Sequence, residues 1–527
     1  MRVLLGLCAV SLMAQTLDIG TETQLFLDDY AVDRVSGLTR SLHSPVKKGL
    51  IQDEKGGDFG IGGVYVGNLV TRDNRGRFHM MYRFPWDDPG VRDLHPSIGE
   101  DKAHWFRESA AYAYSNDGVR WVKPKLGLID GPSALRREGP YLVAASMSKD
   151  NNLGCGIDFA MDLHEHGGLR DPKRRYLLRY SRKDDTHPFA KLVESQMYYA
   201  AEWPDVVHDP NWRQKLEPIP GARMSPRGYS RIAGYDEQAR VWWSSAQDFL
   251  GKWTKRPEHS REIARWESPD LVTWSKEKLV LPLQPDESKD PRDYIEYMDL
   301  EPYRVGGPKT GAWLGQLIIF HSDRTSEAYR MPRKYIVWRK GLTALRLVIS
   351  RDAGNSWQRV GGMKEWLSPH REEHGYDRLV FGQYPIRVGD ELWLYYTAWD
   401  GDHLVYNFDG STYYKDGFLR KTRIARATLR WNGYMSLDGS GEVVSKPLVF
   451  AGNSLAVNAR GEVRAELQGL DGKPIPGFSV KDCIPAKGDG VSLPIRWKKA
   501  DLSEWSGKPV RLRLVTKSAS LYSFQFQ

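Results

Sequence analysis

Three stretches of this chain repeat one phrase: Ser115-Asn-Asp-Gly-Val-Arg-Trp121, Ser268-Pro-Asp-Leu-Val-Thr-Trp274 and Ser350-Arg-Asp-Ala-Gly-Asn-Ser-Trp357. Leu345, Leu347 and Ile349 alternate in the run before the last of them, so the phrase reads as strand, tight turn, strand. Asp117, Asp270 and Asp352 stand where a side-chain oxygen can accept backbone N–H bonds inside the turn. Gly118 and Gly354 supply positive φ at little steric cost. The Trp then opens the next strand and brings a large ring to bury between neighbouring sheets. A strand–turn–strand unit that recurs and always ends on a packing aromatic is the mark of radial repetition. Each Asp is read as a turn residue, which makes these phrases scaffold and places the chemistry elsewhere.

The strands between the phrases fall into five groups. The first covers residues 64–70, 78–83 and 108–114, and the second 156–161, 176–180 and 196–201. The third covers 229–235, 241–245 and 262–266, and the fourth 297–303, 313–321 and 345–350. The fifth covers 379–388, 391–398 and 422–429. No helical periodicity is sustained anywhere. The fold class is therefore all-β, with a five-bladed β-propeller over 51–438. A change of texture after Asp438, with strands at sandwich spacing and turns such as Asp471-Gly-Lys-Pro474, marks a β-sandwich over 439–527. The segment 15–50, with a strand at 25–30, is expected to pack on that C-terminal module.

Composition removes several classes of function. Hydrophobic residues make up 40% and aromatic residues 12%, with 19 Trp and 26 Tyr, which excludes a disordered chain. The net charge of +9 comes from dispersed Lys and Arg without a basic run, so no nucleic-acid partner is expected, while an acidic glycan fits. Residues 1–14 have one basic residue, a short apolar core and a small residue at Ala14, the pattern of a secretory signal. The expectation is a secreted or periplasmic protein without a membrane span. Cys155 and Cys483 lie far apart and could form one disulfide, but no disulfide framework is implied. His95, His104, His321 and His403 show no zinc spacing. No cofactor is expected, and a structural calcium ion stays open.

The chain resembles the secreted five-bladed glycoside hydrolases of families 32 and 43, and more closely the family-32-like bacterial proteins with a C-terminal sandwich. The phrases that carry this are Leu25-Phe-Leu-Asp-Asp-Tyr30, Gly37-Leu-Thr-Arg40, Gly433-Tyr-Met-Ser-Leu-Asp438 and Gly469-Leu-Asp-Gly-Lys-Pro-Ile-Pro-Gly-Phe478. The resemblance spans nearly the whole mature chain and implies three carboxylates on the innermost strands around a central channel. One is base or nucleophile, one is general acid and one orients its neighbour, because glycoside cleavage needs protonation of the leaving oxygen and attack from the opposite face.

Those strands, taken as the first of each group, supply the candidates. Asp158 and Asp299 are expected as the central carboxylates and Glu296 as the third. Strand alternation puts Asp299 and Glu301 on one face and Glu296 on the other, so Glu296 and Asp299 can act together only across a bulge or at a strand start. The third group departs from the family pattern by offering Arg227 and Arg231 where an acid is expected, a pair of guanidiniums suited to a carboxylate or sulfate. Asp58, Glu301, Trp399 and His403 complete the candidate substrate contacts. For Asp58, Asp162 and Glu301 a turn cap or an Arg partner is the stronger expectation. Trp86 and Trp105 lie in expected loops where a sugar ring could stack. A carbohydrate-cleaving enzyme leads, with a sialidase-like exo-glycosidase and a non-catalytic glycan-binding propeller as alternatives. The sequence does not give the oligomeric state.

Overall fold

The computed structural model describes residues 16–60, 70–73, 75–87, 106–124, 157–169, 171–184, 191–202, 214, 216–224, 231–248, 261–325, 341–371, 379–382, 384–399 and 422–527. The expected leader 1–14 lies outside them. The chain divides into two compact units, residues 1–43, 306–311 and 432–527 in one, and residues 44–305 and 312–431 in the other.

The second unit is a five-bladed propeller. Blades two to four are four-stranded antiparallel sheets whose strands follow chain order. Blade two holds Ile157–Asp162, Tyr176–Asp184, Lys191–Ala200 and Glu217–Ile219. Blade three holds Arg231–Asp236, Val241–Asp248, Glu262–Ser268 and Lys278–Leu281. Blade four holds Tyr294–Val305, Ala312–Ser322, Gly341–Ser350 and Gln358–Val360. Blade one contains Val70–Arg72, Phe78–Asp87 and Phe106–Ser115, with Val122 bridged to Tyr114. Blade five contains Leu379–Gly382, Glu391–Trp399 and Thr422–Arg430.

The outermost strand of blade five is Val46–Leu50, which pairs with Thr422–Arg430. The propeller therefore takes up residues that sequence reading gave to the N-terminal segment. The physical reason is closure: a last blade completed from the other end of the chain ties the ring shut. This outer strand carries Val46, Lys47 and Lys48, all exposed, and lysines on an edge discourage further pairing.

The three Ser–Asp–Trp phrases form the turns between third and outermost positions. Asp117 accepts the N–H groups of Val119 and Arg120, both at 2.8 Å. Asp270 accepts those of Val272 at 2.8 Å and Thr273 at 2.7 Å, and Asp352 that of Ser356 at 2.9 Å. The serine that opens each phrase donates its hydroxyl to the same carboxylate. Trp121 and Trp357 are buried against rings of the adjoining blade, Tyr395 at 5.7 Å and Trp243 at 6.3 Å. Trp274 departs from expectation and is only half-buried. It packs on a small cluster within its own blade, Ala246, Ala264 and Trp266.

The first unit is built on one seven-stranded sheet. Its spatial order is Cys483–Ile484, Ala486–Trp497, Leu455–Gln468, Arg511–Phe526, Met435–Ser445 and Val32–Leu42, with Gln24–Leu25 also on Arg511–Phe526. Irregularities at Asn458/Ala459, Arg460/Glu462 and Gly439/Gly441 interrupt the long strands, and bulges bend a sheet at such points. One core gathers Phe26, Leu437, Val457, Phe478, Trp497 and Phe524, an arrangement consistent with the expected sandwich. The strand expected at 25–30 stops at Leu25. Asp28 accepts the N–H of Tyr30 at 3.1 Å, which turns the backbone out of the sheet while Phe26 and Leu27 stay buried. Cys483 is a free, buried thiol that burial pushes above its ordinary pKa, and Cys155 lies outside the described residues.

Candidate active site on the innermost strands

The innermost strands of blades two, three and four share an irregularity in their pairing with the second strand. In each, one residue is skipped in the ladder to the second strand: Asp158 between Ile157 and Phe159, Ala233 between Ile232 and Gly234, and Met298 between Tyr297 and Asp299. The second and third strands of blades three and four pair without any shift. A bulge of this kind re-aims side chains.

In blade four its effect can be read from the register. Glu296 lies opposite Phe320, Asp299 opposite Ile318 and Glu301 opposite Gln316. The partners are spaced by two along Ala312–Ser322 and share a face, so the three carboxylates share one too. Strict alternation had separated Glu296 from Asp299, and the extra residue at Met298 removes that separation. Tyr297 and Leu300, opposite Ile319 and Leu317, face the other way into the core shared with Trp243 and Trp313 of the propeller. On the carboxylate side the fit against blade five is close. A Cβ on Gly382 would stand 2.0 Å from Gln316 Oε1 and 2.9 Å from Leu345 Cδ1, so a larger residue there would have to push these buried side chains aside.

The three carboxylates differ in surroundings. Glu296 is fully buried, with Arg324 at 3.4 Å from one oxygen and Arg261 at 3.6 Å from the other. Arg324 lies over the Tyr294 ring at 3.1 Å and Arg261 over Phe320 at 5.8 Å, which fixes both guanidiniums. The N–H of Tyr297 donates to the Arg261 carbonyl at 3.0 Å, which holds Arg261 beside this strand. Asp299 is half-buried, and one of its oxygens accepts the N–H of Leu300 at 2.9 Å. Glu301 is buried.

Behind the strand lies a second ionic group. The Tyr297 hydroxyl donates to Glu287 at 2.7 Å, and Glu287 also accepts from Arg346 at 2.7 Å and Arg359 at 2.8 Å. Arg359 further holds Asp286 through two bonds of 2.9 and 3.0 Å. Burial and the Glu287 charge push the Tyr297 phenol well above its ordinary range, so it remains a donor. Sequence reading found none of Arg261, Arg324, Glu287, Arg346 and Arg359. The four arginines lie 28 to 72 positions from their carboxylate partners, and Glu287 ten positions from Tyr297, beyond the reach of any local spacing rule.

The other candidates are placed as follows. Asp158 is the skipped residue in blade two, and its side chain lies outside the described ones. Arg231 opens the innermost strand of blade three opposite Ser245, again without a described side chain. Trp399 ends the second strand of blade five opposite Leu379 and Thr422, and its side chain is likewise outside. Arg227, His95, His104, Trp105 and His403 are outside the described residues, and Trp86 is described only in its backbone. Asp58 caps a turn by accepting the N–H of Gly60 at 2.9 Å and holds Arg423 at 3.1 Å. Asp162 accepts the N–H of His164 at 3.0 Å and holds Arg175 at 2.9 Å. Both therefore have the turn-cap and Arg-partner contacts expected of them. Among the described residues no three His, Cys, Asp or Glu side chains converge as a metal site, and no helix is long and apolar enough to cross a membrane.

The sequence matches no known protein-family profile and no curated protein. Solved structures do show similarity. One described as a glycoside hydrolase shares 14% identity, with 73% of this chain and 92% of that chain covered and a TM-score of 0.39. An N-acetylgalactosamine deacetylase from F. plautii, in complex with blood group B trisaccharide, shares 13% over 76% of this chain and 97% of its own, with a TM-score of 0.36. The exo-inulinase from Aspergillus awamori shares 10% over 89% of this chain and 98% of its own, with a TM-score of 0.29.

Proposed function

We propose that this chain is an exported glycoside hydrolase acting through carboxylates on the innermost strands, with Asp299 at its centre. The observation that carries the reading is the bulge at Met298, which gathers Glu296, Asp299 and Glu301 on one face of the innermost strand of blade four. Of the three, Asp299 is the one carboxylate that is half-buried rather than buried, so it suits contact with a sugar. Asp158, skipped in the same way on blade two, is its proposed counterpart for the second carboxylate role. Glu296, pinned by Arg261 and Arg324, suits the third role, orienting rather than transferring a proton. Arg231, at the head of blade three, is proposed to bind an acidic group of the glycan.

The test begins with the purified protein on a panel of neutral, uronate and sulfated glycans. On any glycan that is cleaved, Asp299→Asn should lower turnover by about 10²- to 10⁴-fold while leaving the melting temperature nearly unchanged. Wild-type turnover in that variant would remove Asp299 from the site. The Glu296 ion pairs favour a second reading, a glycan-binding propeller without catalysis, and binding without cleavage across the panel would select it. The sialidase alternative requires six blades, and the propeller has five.

A further inference from the structure

His321 closes the second strand of blade four, opposite Ile295 of the innermost strand, and is 8% exposed. Both of its ring nitrogens face carboxylates. Nδ1 lies 2.7 Å from Asp293 and Nε2 lies 2.8 Å from Glu365. Asp293 ends the connection from blade three into the innermost strand of blade four. Glu365 belongs to the connection that leaves the outermost strand of blade four toward blade five, where Ser368 and Arg371 also hold it. A neutral imidazole has one N–H and one lone pair, so against two carboxylates one contact must be repulsive. Only the imidazolium suits both, with Nδ1 hydrogen-bonded to Asp293 and the ring charge at ion-pair distance from Glu365 on the Nε2 side.

We propose that His321 is a proton-operated clip, which when charged ties together the two connections that enter the innermost strands of blades four and five. Loss of the proton releases one of the two carboxylates and loosens the start of the strand that carries Glu296 and Asp299. The clip does not depend on which reaction the propeller performs.

The charged groups around the ring come from three elements. Asp293 faces it from the incoming connection, and Glu365, backed by Arg371, from the outgoing one. Glu296 on the innermost strand pairs with Arg324, just past the end of the second strand, and with Arg261 of blade three, and the partner of His321 on the third strand is the uncharged Leu342. Burial by itself would lower the pKa of His321, but Asp293 and Glu365 outweigh it and raise the value above the ordinary 6.5. Glu365 behaves in the opposite sense: burial would raise it, and His321, Ser368 and Arg371 bring it below the ordinary 4.5. The imidazolium contribution is thus complete below pH 6.5 and lost as pH rises through the raised His321 value. The Glu365 contribution is complete above pH 4.5 and lost as pH falls through its lowered value. Between those limits the clip is shut, and it opens on the alkaline side.

The experiment is hydrogen–deuterium exchange across pH 5 to 9, corrected for the intrinsic exchange rate, with peptides covering 286–296 and 361–371. In the wild type both peptides should lose protection severalfold in one step on the alkaline side of neutrality. His321→Gln, which cannot charge, should show no step. Asp293→Asn removes one of the two charges that keep the proton on, so it should move the step to lower pH. That displacement is a change a merely structural contact would not produce. If His321→Gln fails to fold, the Asp293→Asn displacement decides alone. No step in the wild type, an unchanged step in His321→Gln, or a step left in place by Asp293→Asn would each overturn the clip.

Discussion

The turn at Ser350–Trp357 and the strand Tyr294–Val305 belong to the same blade, and each sets carboxylates beside aromatic rings. They satisfy those carboxylates in opposite ways. Asp352 is held by its own turn, through the N–H and hydroxyl of Ser356 at 2.9 and 2.6 Å and the hydroxyl of Ser350 at 2.8 Å. Glu296 is held by Arg261 and Arg324, which reach it from the third strand's edge in blade three and from beyond the second strand in blade four. A carboxylate served by local N–H groups is a finished structural element. A carboxylate whose neutralisation depends on residues brought in by the fold is conditional on that fold, and a site that must position charge is assembled in this second way.

The largest effect should come from the conditional side. Glu296→Gln leaves two guanidiniums, 12% and 5% exposed, without their shared counter-charge. Breaking a buried ion pair from one side costs about 3–5 kcal/mol. Denaturant unfolding of Glu296→Gln and Asp352→Asn side by side measures the contrast. Equal losses would mean that Glu296 is no more dependent on its partners than the turn aspartate is on its backbone.

How much of this was legible in the sequence follows the same division. The Ser–Asp–Trp turns could be read because every bond in them spans four positions or fewer, and the turn residues fix the geometry. Five blades followed from counting strands between such turns. The bulges at Asp158, Ala233 and Met298 could not be read, because a skipped residue is a property of the ladder between two strands. That single shift turned Glu296 onto the face of Asp299, which alternation had denied. The transfer of Val46–Leu50 to blade five was hidden for a related reason, since its partner strand lies more than 370 positions away in the chain. The phrases at Gly37-Leu-Thr-Arg40 and Gly433-Tyr-Met-Ser-Leu-Asp438 were recognised separately, and the structure pairs them, Arg40 opposite Leu437 and Thr39 opposite Asp438.

The next contrast lies within the turns themselves. Trp121 is 1% exposed and meets Phe78 and Tyr395 edge-on, whereas Trp274 is half-buried on Ala246, Ala264 and Trp266. Trp121→Ala should cost roughly 3–5 kcal/mol, the range for a buried ring, and Trp274→Ala distinctly less. Thermal melting of the two variants compares them directly. A Trp274→Ala loss as large as that of Trp121→Ala would restore the view that all three phrases seal seams between blades.

The smallest effect concerns the proton economy of the turn. Burial pushes the Asp352 carboxyl up, but the hydroxyls of Ser356 and Ser350 and the backbone N–H groups of the turn outweigh it and hold it below its ordinary value of 3.8. A carboxylate with a depressed folded pKa contributes stability that is complete above its unfolded pKa and disappears as pH falls through the folded one. Asp352→Asn keeps the shape and one acceptor oxygen but carries no charge to lose. The melting temperature of the wild type should therefore exceed that of Asp352→Asn at neutral pH, and the gap should close as the solution is taken below pH 3.8. A gap that held constant from neutral to strongly acid solution would show that the hydroxyl and amide bonds of this turn do not discriminate the charged carboxylate from its neutral amide. The turn would then owe its stability to the Trp357 ring and to Gly354, whose added Cβ would meet Trp243 at 2.7 Å, rather than to the aspartate that makes the phrase recognisable.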